Sequence, residues 1–235
     1  MPQTLKLVYE DADLLVLDKP AGLLCVPGRG PDKQDCLSAR VQAQFADALI
    51  VHRLDMATSG LVVMARGAHN QRRLSEAFAQ RLVQKSYIAQ VQGDALALAG
   101  NAATDALGWH TIDLPVGADW PQRPLQKVDW LKGKPSQTRW RIWTESAMAA
   151  GVNPFQGLLL EPVTGRTHQL RLHLASVGLP ILGDGLYAPP AVAAASNRLM
   201  LHAWQLMLPH PQTTKMIKFK IEKIFKPIYQ YELNS

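Results

Sequence analysis

The feature that most constrains this fold is the shortness of the apolar runs. Leu14 to Leu17 and Leu61 to Ala65 are continuous, and turn formers close each one: Asp18-Lys19-Pro20-Ala21-Gly22 after the first, Gly67 soon after the second. Such runs have the length of buried strands and fall far below the ~20 residues that a membrane-spanning helix requires. Further strand-like segments follow at Tyr87 to Val91, Lys127 to Trp130, Gln137 to Trp143, Gly157 to Glu161 and Leu199 to Leu206. Strands outnumber helices, and several neighbours are too close in sequence for helical crossovers. The expected fold is therefore α+β, with a mixed and mostly antiparallel sheet flanked by helices and loops.

Helical signals are fewer. A short helix is expected near Leu37 to Phe45. After Gly67, Leu74, Phe78 and Leu82 recur at every fourth position, while Arg72, Arg73 and Arg81 fall on other faces, as in an amphipathic helix. The segment Arg166 to Gly178 is ambiguous, since Leu170, Leu172 and Leu174 alternate as in a strand. Gly178 followed by Pro180 is a helix stop, which favours a helix with Arg166 in its first turn, where anions are held. The Ala-rich stretch Asp94 to Ala106 has no period and reads as a surface insertion.

Lys and Arg number 25 against 19 Asp and Glu, a net charge of +6. Half of that excess sits in residues 215–235, with five Lys against two Glu, so a basic face on the body must come from placement. That tail has no Ala, Gly or Arg; Ile217, Phe219 and Ile221 alternate with Lys218 and Lys220, the pattern of an edge strand with a charged outer row. Cys25 and Cys36 are the only cysteines and read as two reduced thiols. Glu10, Asp11 and Asp13 interrupt the place where a signal peptide would need an apolar core, so a cytoplasmic protein is expected, without membrane attachment.

Val51 to Arg66 (VHRLDMATSGLVVMAR) places Asp55 two residues after Arg53 and just before a Thr58-Ser59-Gly60 turn that feeds a buried strand. On these residues alone, Asp55 caps a turn, Arg53 is a surface charge and Tyr87 is an ordinary strand tyrosine. His52, His168, His173, His202 and His210 show no ligand spacing, and no glycine-rich phosphate loop or dinucleotide pattern is present, so neither a metal nor a cofactor is expected. His52 and His202 read best as hydrogen-bonded core histidines.

Three segments change this reading. HRLDMATSGL (His52 to Leu61), KSYIAQ (Lys85 to Gln90) and GRTHQLRLHL (Gly165 to Leu174) occur in that order. Together they resemble the signature segments of the RluA-type pseudouridine synthases. The likeness runs from about Leu7 through LGDGLYA (Leu182 to Ala188) and RLMLHA (Arg198 to Ala203) to His210-Pro211, then fades.

The resemblance implies a pseudouridine synthase catalytic fold with a central RNA-binding cleft over residues 1–214. It also implies that no separate N-terminal RNA-binding domain precedes it and that residues 215–235 form a divergent Lys-rich tail. By the same resemblance Asp55 is the catalytic acid, acting as nucleophile or base on a flipped-out uridine. Arg166 is its ion partner, and Tyr87 stacks on the uracil and takes part in the later proton transfer. Arg53 fills the space the nucleotide leaves, and His52, Thr58, Gln169 and Arg171 join in RNA binding and base flipping, with a structural role standing equally open for Gln169 and Arg171. The single-domain build and the stretch Asp119 to Trp140 look closest to members that act on both ribosomal and transfer RNA stem-loops, as a monomer. Two other readings stand beside this one: an RNA-binding module of the same fold without chemistry, and a glycosidic hydrolase that would release free uracil.

Overall fold

The computed structural model describes residues 5–101, 103–143 and 155–221. Its centre is a ten-stranded sheet. β1 (Lys6–Glu10), β2 (Leu14–Lys19), β4 (Ser59–Arg66), β11 (Leu201–Pro209), β5 (Gln84–Gln92), β10 (Phe155–Pro162), β9 (Gln137–Ile142) and β6 (His110–Asp113) follow one another, with β3 (Ala48–Ile50) beside β4 and β12 (Met216–Lys220) beside β11. β7 (Val116–Ala118) and β8 (Gln126–Val128) form a separate hairpin. Among the described residues only β4 and β11 pair in parallel, through His202 with Ser59 and Ala203 with Gly60. The α+β, mostly antiparallel expectation therefore holds. No helix among the described residues is long and apolar enough to cross a membrane.

Both faces of the central strands are buried, which explains their continuous apolar runs. On one face Leu15, Leu17, Val62, Met64, Tyr87, Ala89, Leu158 and Leu160 join the main core with α4 (Gln169–Ser176). On the other, Leu14, Val16, Leu61 and Val63 pack under Leu74 and Ala77 of α2 (Gly67–Ala79).

Several local expectations are corrected. α2 ends at Ala79, so Leu82 lies beyond it and is half exposed, with Arg81 turned to a positive φ of 60°. The Lys127 to Trp130 strand shrinks to β8, and Trp130 stands in an exposed turn. The Asp94 to Ala106 stretch is not merely a surface insertion: α3 (Ala95–Asn101) buries Ala95 fully and packs Leu98 and Ala99 on the main core. The small side chains that hid its period are what allow that close approach. α1 (Leu37–Gln42) forms where expected. β12 is the edge strand the tail pattern announced, with Ile217 and Phe219 turned to the core and the lysines outward.

Gly60 makes the parallel junction possible. Its φ is +114°, and a Cβ there would lie 2.3 Å from the Ala203 carbonyl oxygen, inside van der Waals contact with the backbone of β11. Gly60→Ala combines a strained backbone with overpacking against an immovable strand and should cost roughly 2–5 kcal/mol; urea unfolding with an unchanged midpoint would contradict this.

Two histidines brace the same strand. His52 stacks on Phe78 and accepts the Val63 N–H at 3.0 Å, and Ser59 Oγ meets His202 Nδ1 at 2.8 Å. Burial, with help from the Lys85 charge, pulls His52 down to about 3, and burial pulls His202 down to about 4. The unfolded chain binds protons near 6.5 that the folded chain refuses, so these groups contribute stability above that pH and lose it as pH falls toward 3. Denaturant unfolding between pH 7.5 and 5 should show stability falling with acid by up to about 1.4 kcal/mol per pH unit for each histidine. The slope should be shallower in His52→Gln.

Candidate active site

The loop between β3 and β4 carries His52, Arg53, Asp55 and Thr58, and its backbone is fixed on both sides of Asp55. The Leu54 N–H donates to the Cys25 sulfur at 3.2 Å, and the Thr58 N–H donates to the Asp55 carbonyl at 3.1 Å. The Met56 carbonyl accepts from the Gly22 N–H at 2.9 Å and from Lys19 Nζ at 3.0 Å. Cys25 and Cys36 are both free thiols, as expected from their number.

Lys19 was not singled out by its sequence. It is wholly buried, and its ammonium donates to three carbonyls, of Pro20 (2.8 Å), Leu23 (2.8 Å) and Met56. Burial lowers its pKa to about 8, against the upward pull of Cys25 and Asp55. The lysine thus ties the turn after β2 to the loop that presents Asp55. A lysine in the last position of a buried strand, just before a Pro-Ala-Gly turn, is the signal that could have marked it.

The Asp55 carboxylate itself has no hydrogen bond or ion pair among the described residues. Its charge is nevertheless felt by neighbours, and the arginine that feels it is not the expected one. The sequence puts Arg166 in the first turn of α4 as the partner of Asp55; the helix begins three residues later, and the Arg166 side chain is exposed at the cleft rim with no ion partner among the described residues. A left-handed His168, with φ 54°, starts α4 one residue before Gln169 and breaks the turn that would have included Arg166.

Arg171 is the buried cation instead. Its Nε and Nη2 meet the two Asp184 oxygens at 2.8 and 2.5 Å, with both side chains almost fully buried. Burial opposes the charge, but the Asp184 hydrogen bonds, the Asp184 charge and then the Asp55 charge hold the guanidinium above its ordinary value. Gly183, at φ +72° and directly against the Arg198 carbonyl, allows the chain to bring Asp184 there. Tyr187 covers the pair: the guanidinium lies 5.3 Å from its ring centre, and its hydroxyl meets His168 Nδ1 and the Gln126 N–H, each at 2.8 Å.

Tyr87 is 9% exposed on β5. Burial first, then the charge of Asp55 and the Cys25 thiol, raise its phenol well above the ordinary value, so the hydroxyl is protonated at neutral pH. Gln169 is not available to RNA. Its oxygen accepts from Thr164 Oγ1 (2.7 Å) and the Arg166 N–H (3.0 Å), and its Nε2 donates to the Gln137 carbonyl (2.8 Å) and Thr138 Oγ1 (3.1 Å). It shapes the loop that presents Arg166. Arg171 and His52 are likewise committed inside the protein, and Thr58 is buried, so these four support the cleft wall. Arg53 is exposed.

All eight residues named from the sequence nonetheless line one open cavity of about 960 Å³. Six of its described lining residues are Lys or Arg (Arg53, Arg81, Lys85, Arg139, Arg166, Arg171), against two acids, Asp55 and Glu161. The modest charge of the chain is thus concentrated where a polyanion would enter. The one metal-like grouping among the described residues lies elsewhere: Asp11, Asp13 and His210. His210 Nδ1 accepts the Gln212 and Thr213 N–H groups, leaving Nε2 to donate to Asp11 at 3.0 Å, so the group is a closed hydrogen-bonded clamp.

Residues 13–176 match the RNA pseudouridylate synthase family. The chain belongs to that family. It is similar to the dual-specificity RNA pseudouridine synthase RluA of Yersinia pestis, with 43% identity over 218 residues, 93% of this chain and 98% of the relative. RluA of Escherichia coli (strain K12) is 40% identical over 216 residues, 92% of each chain. Among solved structures, human RNA pseudouridylate synthase domain containing 1 superposes with a TM-score of 0.70 at 26% identity, covering 93% of this chain and 83% of that one. As a pseudouridylate synthase, the protein is an isomerase of uridine in RNA.

Lys19→Met keeps the bulk of the side chain but leaves three carbonyls without their donor. It should cost about 2–4 kcal/mol of stability and slow uridine isomerisation more than it weakens RNA binding. Wild-type turnover in the folded variant would show that the clamp does not position Asp55.

Proposed function

We propose that the protein isomerises uridines in a loop of large-subunit ribosomal RNA and in the tRNA anticodon loop, with Asp55 acting on the sugar of a flipped-out nucleotide. The observation that carries the reading is the convergence of Asp55, Tyr87 and Arg171 in one cation-lined cavity. The dual-specificity name of relatives 40–43% identical along more than nine-tenths of this chain supports the pair of targets.

The chemistry asks for little. The bond between C1′ and N1 breaks, one between C1′ and C5 forms, C5 gives up a proton and N1 takes one. No water enters and nothing leaves. Glycoside hydrolases need a second carboxylate to activate water; here the displaced base returns to the same sugar, and one carboxylate suffices. Asp55 either attacks the anomeric carbon or takes a proton from the sugar. In both routes the carboxylate loses its negative charge. That removes one of the causes raising the Tyr87 phenol, so the ring stacked on uracil becomes a more capable proton-transfer partner as the reaction proceeds.

The reacting atoms are inaccessible in a stacked loop, and extrusion costs a few kcal/mol. Arg53, exposed beside Asp55, enters the vacated space. Arg166, exposed at the rim, meets a phosphate.

Asp55→Asn should bind an anticodon stem-loop as the wild type does and form no detectable pseudouridine. Near-normal turnover would remove Asp55 from the mechanism, and release of free uracil by the wild type would turn the reading into hydrolysis. Tyr87→Phe should keep the affinity and lose about 10²–10⁴-fold in the single-turnover rate; an unchanged rate would leave Tyr87 only its stacking role.

A further inference from the structure

Opposite the Tyr87 face of the sheet, Ile88, Leu159, Trp109 and Trp204 form a small core with Trp143 against it. Leu159 and the three tryptophans wall a groove of about 590 Å³, within the range of sites that take small organic ligands. The groove adjoins the catalytic cavity, since Leu107, Trp109 and Glu161 line both.

Three features distinguish this groove from ordinary packing. It is walled by three of the six tryptophans in the chain. Cations flank the rings: the Arg139 and Arg141 guanidinium carbons lie 4.8 and 4.7 Å from the Trp109 ring centre, and Lys220 Nζ lies 4.8 Å from that of Trp204. The indole N–H groups of Trp143 and Trp204 are buried without an acceptor among the described residues. Orphaned donors are rare in folded chains, because each forfeits its hydrogen bond to water.

We propose that this groove binds the base of a second nucleotide, flanking the isomerised uridine in the same RNA strand. The inference rests on the RNA-modifying reading above. Aromatic walls stack any base, and the exposed Arg141 and Lys220 beside them meet the phosphates on either side. The two cavities share a wall at Leu107, Trp109 and Glu161, so a strand seated at Asp55 has the groove as its neighbour. The groove thus reads the neighbourhood of the target, while Asp55 reads the target itself.

The test uses the full chain and single-stranded oligoribonucleotides of about ten nucleotides that contain the target uridine, with 2-aminopurine placed at one flanking position at a time. One flanking position should be strongly quenched on binding, and Trp143→Leu should restore its fluorescence. That variant should also weaken binding of the long oligonucleotide by about 5- to 150-fold, while the saturating single-turnover rate on uridine stays within about twofold. Arg141→Ala, on an exposed strand position, should weaken the same binding should Trp143→Leu prove unstable. Unchanged affinity in both variants, or quenching that persists in both, overturns the inference. Failure of the wild type to isomerise uridine would instead overturn the functional reading, and the binding measurement stands independently of it.

Discussion

Two cations are buried beneath Asp55, and both are bound by the protein itself. Arg171 is locked in a two-point bond with Asp184, and the Lys19 ammonium is spent on three carbonyls. Neither arrangement is the cheapest way to fill a core, because desolvating a charge costs several kcal/mol and well-packed apolar residues often do as well. What such pairs supply is fixed geometry. The guanidinium cannot swing, the Asp55 loop cannot lift, and the Asp55 carboxylate has no partner of its own among the described residues. A carboxylate already hydrogen-bonded to the protein would have to break that bond before acting on a sugar; this one is held by its backbone and left free at its tip.

This division of labour orders the rest of the site. In the proposed mechanism Asp55, Tyr87 and Arg53 touch the reacting nucleotide, and they stand on elements whose support comes from residues that touch only protein. Gln169, Thr58 and His52 belong to the second group, and Tyr187 links it to the β7–β8 hairpin through Gln126. In the same proposal the exposed cations of the cleft, Arg53, Arg81 and Arg166, act on the scale of the RNA rather than of the base, raising encounter rates and holding phosphates without reading sequence.

Much of this was legible in the residues, and the reasons are local. Continuous apolar runs gave the central strands because both faces of the sheet are covered. Alternation gave β12, whose outer row is lysine. The order of three short motifs gave Asp55 and Tyr87. What stayed hidden depends on contacts distant in sequence. Helical periodicity cannot separate Arg166 from Arg171, five residues apart in one motif; burial against Asp184 does. The left-handed turn at His168 delays the start of the helix, and no glycine or asparagine announces it. Lys19 looks like any loop lysine until Met56 is brought beside it. The period of Asp94 to Ala106 is invisible because alanine serves equally on a packed or an open face.

The central claim is that the fork of Arg171, fixed by Asp184, holds the field in which Asp55 works. Arg171→Lys keeps the positive charge and most of the packing but loses the planar two-point bond. The most direct measurement is the single-turnover release of tritium from C5 of labelled uridine in an anticodon stem-loop, alongside RNA affinity. A fall of about 100-fold or more in rate with affinity held within about threefold is the predicted result. A rate equal to the wild type would contradict the account.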